Sequence, residues 1–264
     1  MLYGVIRLLN ETRPLWLKAD NTEIAKDKRI RVKGRSNMTL IPDFFMVDIY
    51  NLSEEDELSL RNAERLSVFG ESMIILCSGE IQEIYTHVEQ SNEIITVSIS
   101  DGMKFWKSRA DIAVSSGVWC RDAIKTILKN AKFGLFLCDD FRMPRGQTFS
   151  GRTADFINEF AISLSARAYI LNNTLNIVGK ESEEDIVVVN NEDVIDLPRM
   201  MKNVCILKTK VRGYSVGNLI RYNGTNYRLV TQSFDADNFI GDWSAKMTLI
   251  TEREFFSNGM EGGW

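Results

Sequence analysis

Paired carboxylates, one histidine and four cysteines are the residues of this 264-residue chain best suited to chemistry. Asp139-Asp140 follow an apolar run at 133–138 that reads as a strand, the place where many α/β enzymes hold a catalytic acid. A hydrolase with its carboxylate site there is one reading. Neighbours on a strand point to opposite faces, so they pair poorly as acid and base unless a turn intervenes, and a solvated strand end is the plainer account. Any His-dependent triad has to be built around His87, whose neighbours Thr86 and Val88 belong to no nucleophile motif. A surface or loop histidine explains it. No GxSxG, HExxH, Walker A or GxGxxG pattern is present.

Metal chemistry fares no better. Cys77, Cys120, Cys138 and Cys205 lie far apart with no CxxC pair, which fits buried free thiols made in a reducing cytoplasm. Asp235, Asp237 and Asn238 resemble the start of a calcium loop. An EF-hand needs glycine at the sixth position and glutamate at the twelfth, and this chain has Ile240 and Lys246 there. The sequence therefore assigns no catalytic, cofactor or metal residue.

The one charged surface with a pattern is basic. From Trp119, the residues Ala123, Ile124, Ile127, Leu128 and Ala131 form a helical stripe, leaving Arg121, Lys125, Lys129 and Lys132 opposite. Without interleaved aromatics that face lacks a base-stacking platform. Solvent or an acidic neighbouring subunit accounts for it, so Arg121, Lys125 and Lys129 are assigned to a peripheral interface. A formal charge of -4 argues against broad wrapping of nucleic acid. No signal peptide is expected at 1–9, where Arg7 interrupts a short apolar run, and no stretch approaches the roughly 20 apolar residues of a membrane span.

Three segments position these residues. The first reads as β: strands at 4–9, 29–33, 43–50, 73–77, 80–85 and 93–100, with a tight turn at Ser78-Gly79. Ser53 with Asp56 resembles a capping box and opens a short acidic helix to about Asn62. The middle changes period. It holds the basic helix, the 133–138 strand, a second helix at 153–165 with Ile157, Phe160, Ala161 and Leu164 inward, and a hairpin around Asn172-Asn173. The end returns to β, with a strand at 204–211, a hairpin at Asn223-Gly224 and a last strand at 243–250. Linkers are expected at 181–185 and 190–198. The fold class is mainly β with an α+β insert, divided as 1–102, 103–192 and 193–264.

Val47-Asp48-Ile49-Tyr50-Asn51-Leu52-Ser53-Glu54-Glu55, Gly79-Glu80-Ile81 and Thr96-Val97-Ser98-Ile99-Ser100-Asp101-Gly102 resemble the first barrel of the baseplate hub proteins of contractile-tailed phages. Thr148-Phe149-Ser150-Gly151 and Tyr169-Ile170-Leu171-Asn172-Asn173-Thr174-Leu175-Asn176-Ile177-Val178 are similar to that family's inserted α+β domain. Gly224-Thr225-Asn226-Tyr227-Arg228-Leu229-Val230 and Asp237-Asn238-Phe239-Ile240-Gly241-Asp242-Trp243 look like its second barrel. The motifs are short, and their order across nearly the whole chain carries the resemblance. The acidic loop at 235–242 lacks a histidine associated with related members, which leaves the tail lineage open.

The resemblance implies a non-enzymatic virion protein with two tail-tube-like β-barrel or sandwich domains flanking the insert. Such hubs form a homotrimeric ring between the hexameric tail tube and the central spike. They contact other baseplate proteins and enclose a channel for tape measure protein and DNA. Synthesis in the host cytoplasm and residence in the phage tail follow, with no membrane and no cofactor. A β-rich module recognising a receptor or glycan remains the alternative, beside the hydrolase at Asp139 and Asp140.

Overall fold

Alternation with period two builds most of this molecule. The computed structural model describes residues 13–179, 185–239 and 243–257; the strand expected at 4–9 lies outside them. The first segment folds into β1 (Trp16–Ala19), β2 (Thr22–Ile24), β3 (Ile30–Asn37), β4 (Asp43–Tyr50), β5 (Arg65–Phe69), β6 (Ile75–Glu89) and β7 (Asn92–Asp101). In β4 the side chains of Phe45, Val47 and Ile49 are buried while Phe44 and Met46 face outward, as the alternation requires. Helix α1 (Glu54–Asn62) follows. The Ser53 hydroxyl accepts from Asp56 N at 3.2 Å, and four acidic residues in the first turn suit the positive end of the helix.

The turn expected at Ser78-Gly79 is absent. β6 runs unbroken through it, with Gly79 opposite Leu66 on β5. The glycine answers a packing need instead, because a Cβ there would stand 2.4 Å from the carbonyl oxygen of Ser100. Two strands of the expected series are therefore one.

The middle segment holds α2 (Met103–Trp106), β8 (Arg109–Val114), α3 (Cys120–Ile127), β9 (Lys132–Leu137), β10 (Gln147–Arg152), α4 (Thr153–Ser163), β11 (Ala166–Leu171) and β12 (Thr174–Gly179). β8 pairs with β10, and β11-β12-β9 form a second small sheet with β9 parallel to β12. Ala123, Ile124 and Ile127 of α3 and Ile157, Phe160 and Ala161 of α4 close on Leu175 and Ile177 in one core. α3 is shorter than its stripe suggested. It ends at Ile127 and Asn130 takes a left-handed φ of 60°, turning the chain into β9 before Ala131 can join the helix.

The last segment contains β13 (Ile186–Val188), β14 (Arg199–Met200), β15 (Val204–Lys210), β16 (Leu219–Tyr222), β17 (Thr225–Asp237), β18 (Trp243–Thr251) and α5 (Glu252–Ser257). Asn223-Gly224 makes the expected hairpin, both residues at positive φ. The stretch expected to be a linker at 190–198 instead lies beside β15, where Val194 bridges Thr209 and Ile195 N donates to Lys208 O at 2.8 Å.

One 13-stranded sheet joins the first and last segments, in the order β14-β15-β18-β17-β3-β4-β7-β6-β5-β1-β2, with β16 on β17 and β13 on β16. The join is β17, antiparallel to β18 on one side and to β3 on the other from Thr231↔Asn37 to Asp237↔Arg31. A core of Leu17, Val47, Leu66, Ile95 and Val97 also takes in Phe234, Ala236 and Ala245, while Cys205, Leu207, Leu229, Met247 and Leu249 belong to a separate one.

Candidate assembly surface

Of the two sequence-predicted carboxylates, Asp140 is engaged in holding backbone. Asp140 follows β9 and its Oδ1 accepts from Phe141 N at 2.9 Å and from Arg121 N, at the start of α3, at 3.3 Å. Asp139 is exposed. The two acids do not face one another across a cleft, and Asp140 acts as a cap for the helix. Replacing both by alanine should cost about 1 kcal/mol of stability, the usual worth of a helix cap, and leave assembly unchanged. Chemical denaturation and sedimentation check the two halves of that statement.

His87 lies exposed on β6, its ring 5.8 Å from that of Tyr85 on the same strand face. The notional calcium loop is filled by cations of the protein itself. Asp235 binds Arg31 at 2.9 Å and Lys33 at 3.3 Å, and Asp237 binds Arg29 at 2.7 Å, all across the β3–β17 pairing. Burial raises the Asp235 carboxyl, but hydrogen bonds and charge from Arg31, then Lys33, outweigh it and hold the group below its ordinary value. Asn238 accepts from Ile30 N and donates to Lys28 O, closing the same corner. These residues lock the two β segments together. Among the described residues no three His, Cys, Asp or Glu side chains converge on a point. All four cysteines are free, and burial pushes each thiol above its ordinary value.

The basic patch is only partly a helix face. Arg121 and Lys125 lie on α3, but Lys129 falls beyond its end. Arg121 sits 5.8 Å from the ring of Phe133 and 5.5 Å from that of Phe136, and Lys125 is 5.5 Å from Phe133. Lys125 also meets Asp122 at 3.6 Å. The aromatic residues that α3 lacks are thus supplied by β9, which no spacing within the helix could reveal. Arg121, Lys125 and Lys129 all remain exposed.

Two junctions escaped sequence reasoning. Asp101, at the end of β7, is buried, and its carboxyl accepts from Asn172 N at 2.5 Å and Asn173 N at 2.6 Å, clamping the β11–β12 turn to the large sheet. Arg228 on β17 is wholly buried, donating to Gly217 O at 2.7 Å and to Glu252 on α5 at 2.9 Å. An Asp-Gly pair and a lone arginine in a strand give no hint of partners so distant in sequence.

No family model matches the chain, and no curated protein matches it. Solved structures do match. A tail protein from Neisseria meningitidis aligns over 91% of this chain and 97% of its own, with a TM-score of 0.61 and 11% identity. A 43 kDa tail protein of prophage MuSo2 from Shewanella oneidensis aligns over 92% and 99%, with a TM-score of 0.65 and 9% identity. A component of the E. coli type VI secretion system, described as structurally similar to the T4 bacteriophage tail proteins gp27 and gp5, aligns over 89% and 76%, with a TM-score of 0.61 and 10% identity. The chain therefore has the mainly β fold of these tail proteins.

Proposed function

We propose that this protein is a structural virion protein, the baseplate hub of a contractile phage tail, and not an enzyme. Three copies form a ring that joins the hexameric tail tube to the central spike and encloses the path of tape measure protein and DNA. The observation that carries the reading is the extent of the fold likeness: two tail proteins are matched over nearly their whole length as well as over nearly all of this chain. Two β units, at 1–102 and 193–264, would build the ring, and the α+β unit at 103–192 would sit outside it. The polar side chains on the outward face of the joined sheet, such as Arg31, Lys33 and Asp235, suit a surface that faces water. Mixed charge there avoids the dense cationic lining that would hold DNA tightly.

The patch of Arg121, Lys125 and Lys129 would then face solvent or a peripheral baseplate protein. Reversing all three charges should weaken that contact and leave the ring intact; loss of the ring would place α3 on the wrong side. The reading as a whole is tested by mixing the purified protein with its tube and spike proteins. Co-sedimentation with both supports a hub, and a chain that stays monomeric beside both is no hub.

A further inference from the structure

The large sheet is open, and its two ends differ. Among the described residues, β14 at one end has a strand on one side only, β15, and β2 at the other has only β1. Unpaired strand edges invite another chain, and soluble monomers blunt them with charge, proline or a covering element. The β14 end carries Pro198, Arg199 and Lys202, yet large apolar side chains stand exposed between them. Ile195, Leu197, Met200 and Met201 are 46%, 93%, 57% and 56% exposed within seven residues, a dense apolar strip on a free edge. Arg199 and Lys202 stand exposed within and beside it, whereas its one acid, Asp196, is paired with Lys208 at 3.6 Å. The strip is thus apolar with a positive border.

The opposite end carries the complement. Helix α1 lies against β2 and is tied to it by Ala25 N donating to Asp56. Glu54 and Glu55 of its first turn are exposed and have no cation within salt-bridge distance among the described residues, and Leu58, one turn on, is 64% exposed. Two unlike surfaces on one chain, matched in charge and each with exposed apolar side chains, fit a head-to-tail contact, and such contacts close into rings when the rotation allows.

We infer that the partner of the 195–202 edge is the β1–β2 hairpin and α1 of a second copy of this chain, with Arg199 and Lys202 facing Glu54 and Glu55. The inference rests on the ring reading and names the surfaces that close the ring. Sedimentation velocity on the full chain, alone and with its spike protein, tests it with three variants. Leu197→Asp with Met200→Asp should abolish the ring. Arg199→Glu with Lys202→Glu should weaken it at least about tenfold, because like charges then meet across the contact. Adding Glu54→Lys and Glu55→Lys to that second variant should restore it. All six positions are exposed or edge sites, and an unchanged melting temperature verifies the fold. A ring that ignores the first two variants, or one that the double swap fails to restore, overturns the assignment while the hub reading stands. A wild-type chain that is monomeric even with its spike overturns both.

Discussion

Replacing Asp101 by alanine is expected to lower the unfolding free energy by about 3 kcal/mol and to remove much of the protein's pH dependence between pH 4 and 7. The carboxyl is 4% exposed and receives two backbone hydrogen bonds from the Asn172-Asn173 turn. Hydrogen bonds to a charged group are worth about 1.5–3 kcal/mol each. At pH 7.5, where the carboxyl is ionised, alanine loses both and is relieved of one buried charge, which leaves the smaller net figure. Burial drives the Asp101 carboxyl up to about 7, with the bonds from Asn173 and then Asn172 opposing it. Asp43, its register partner on β4, is likewise raised by burial to about 6, against hydrogen bonds from Asn37.

The sign follows from proton counts. Between about pH 4 and 7 the folded chain holds more protons at these two sites than the unfolded chain, so stability falls as pH rises through the window and flattens above it. Urea denaturation of both proteins at pH 4.5 and 7.5 reads the effect. The wild type should be less stable at the higher pH, and the variant should show a smaller difference set by Asp43 alone. An unchanged slope in the variant would mean that Asp101 ionises as an ordinary carboxyl.

Arg228→Ala should cost about 3 kcal/mol, from the lost hydrogen bonds of a charged group at about 1.5–3 kcal/mol each, offset in part because the Glu252 left behind is 30% exposed and can be hydrated. The guanidinium holds the Gly217 carbonyl on one side and Glu252 on the other, so it fixes both the turn before β16 and helix α5 to β17. Gly217 itself is at φ 88°, and a Cβ there would lie 2.1 Å from the Tyr169 hydroxyl of β11. The same corner therefore supports the contact between the insert and the last β segment. For a chain of this size each kcal/mol moves the melting temperature by about 2–4 °C, so a drop on the order of 10 °C is expected by calorimetry. Arg228→Lys should recover only part of it, because an ammonium cannot reproduce the planar fork that reaches both acceptors. A melting temperature within a degree or two of wild type would show that the guanidinium does not organise this corner.

Local pattern made much of the fold readable. The alternation of Phe45, Val47 and Ile49, the cap at Ser53 and the turns at Asn172-Asn173 and Asn223-Gly224 each depend on residues a few positions apart. The order β, α+β, β could be read for the same reason. The readings that failed needed partners far along the chain. Ser78-Gly79 looks like a turn until Ser100 presses against the glycine, and the 190–198 segment looks like a linker until β15 lies beside it. The pairing of β3 with β17 spans some two hundred residues and leaves no local trace.

The candidate site was harder to read than the fold. Arg121 and Lys125 were visible as charges, but the Phe133 and Phe136 rings beneath them belong to another element. Asp139 and Asp140 advertised catalysis because position after a strand is a weak signal, and only the bond from Arg121 N shows that Asp140 caps a helix. The apolar edge at Leu197 and Met200 was hidden in plain view. Exposure depends on which edge of the sheet stays free, and that is set by topology.

Electron cryo-microscopy of the purified chain bound to its spike protein tests the hub reading most directly. Three copies should surround one axis, with the two β portions of each chain alternating around it as related barrels and the α+β portion outside. A single copy on the spike, or a ring in which the α+β portion lines the channel, would contradict it.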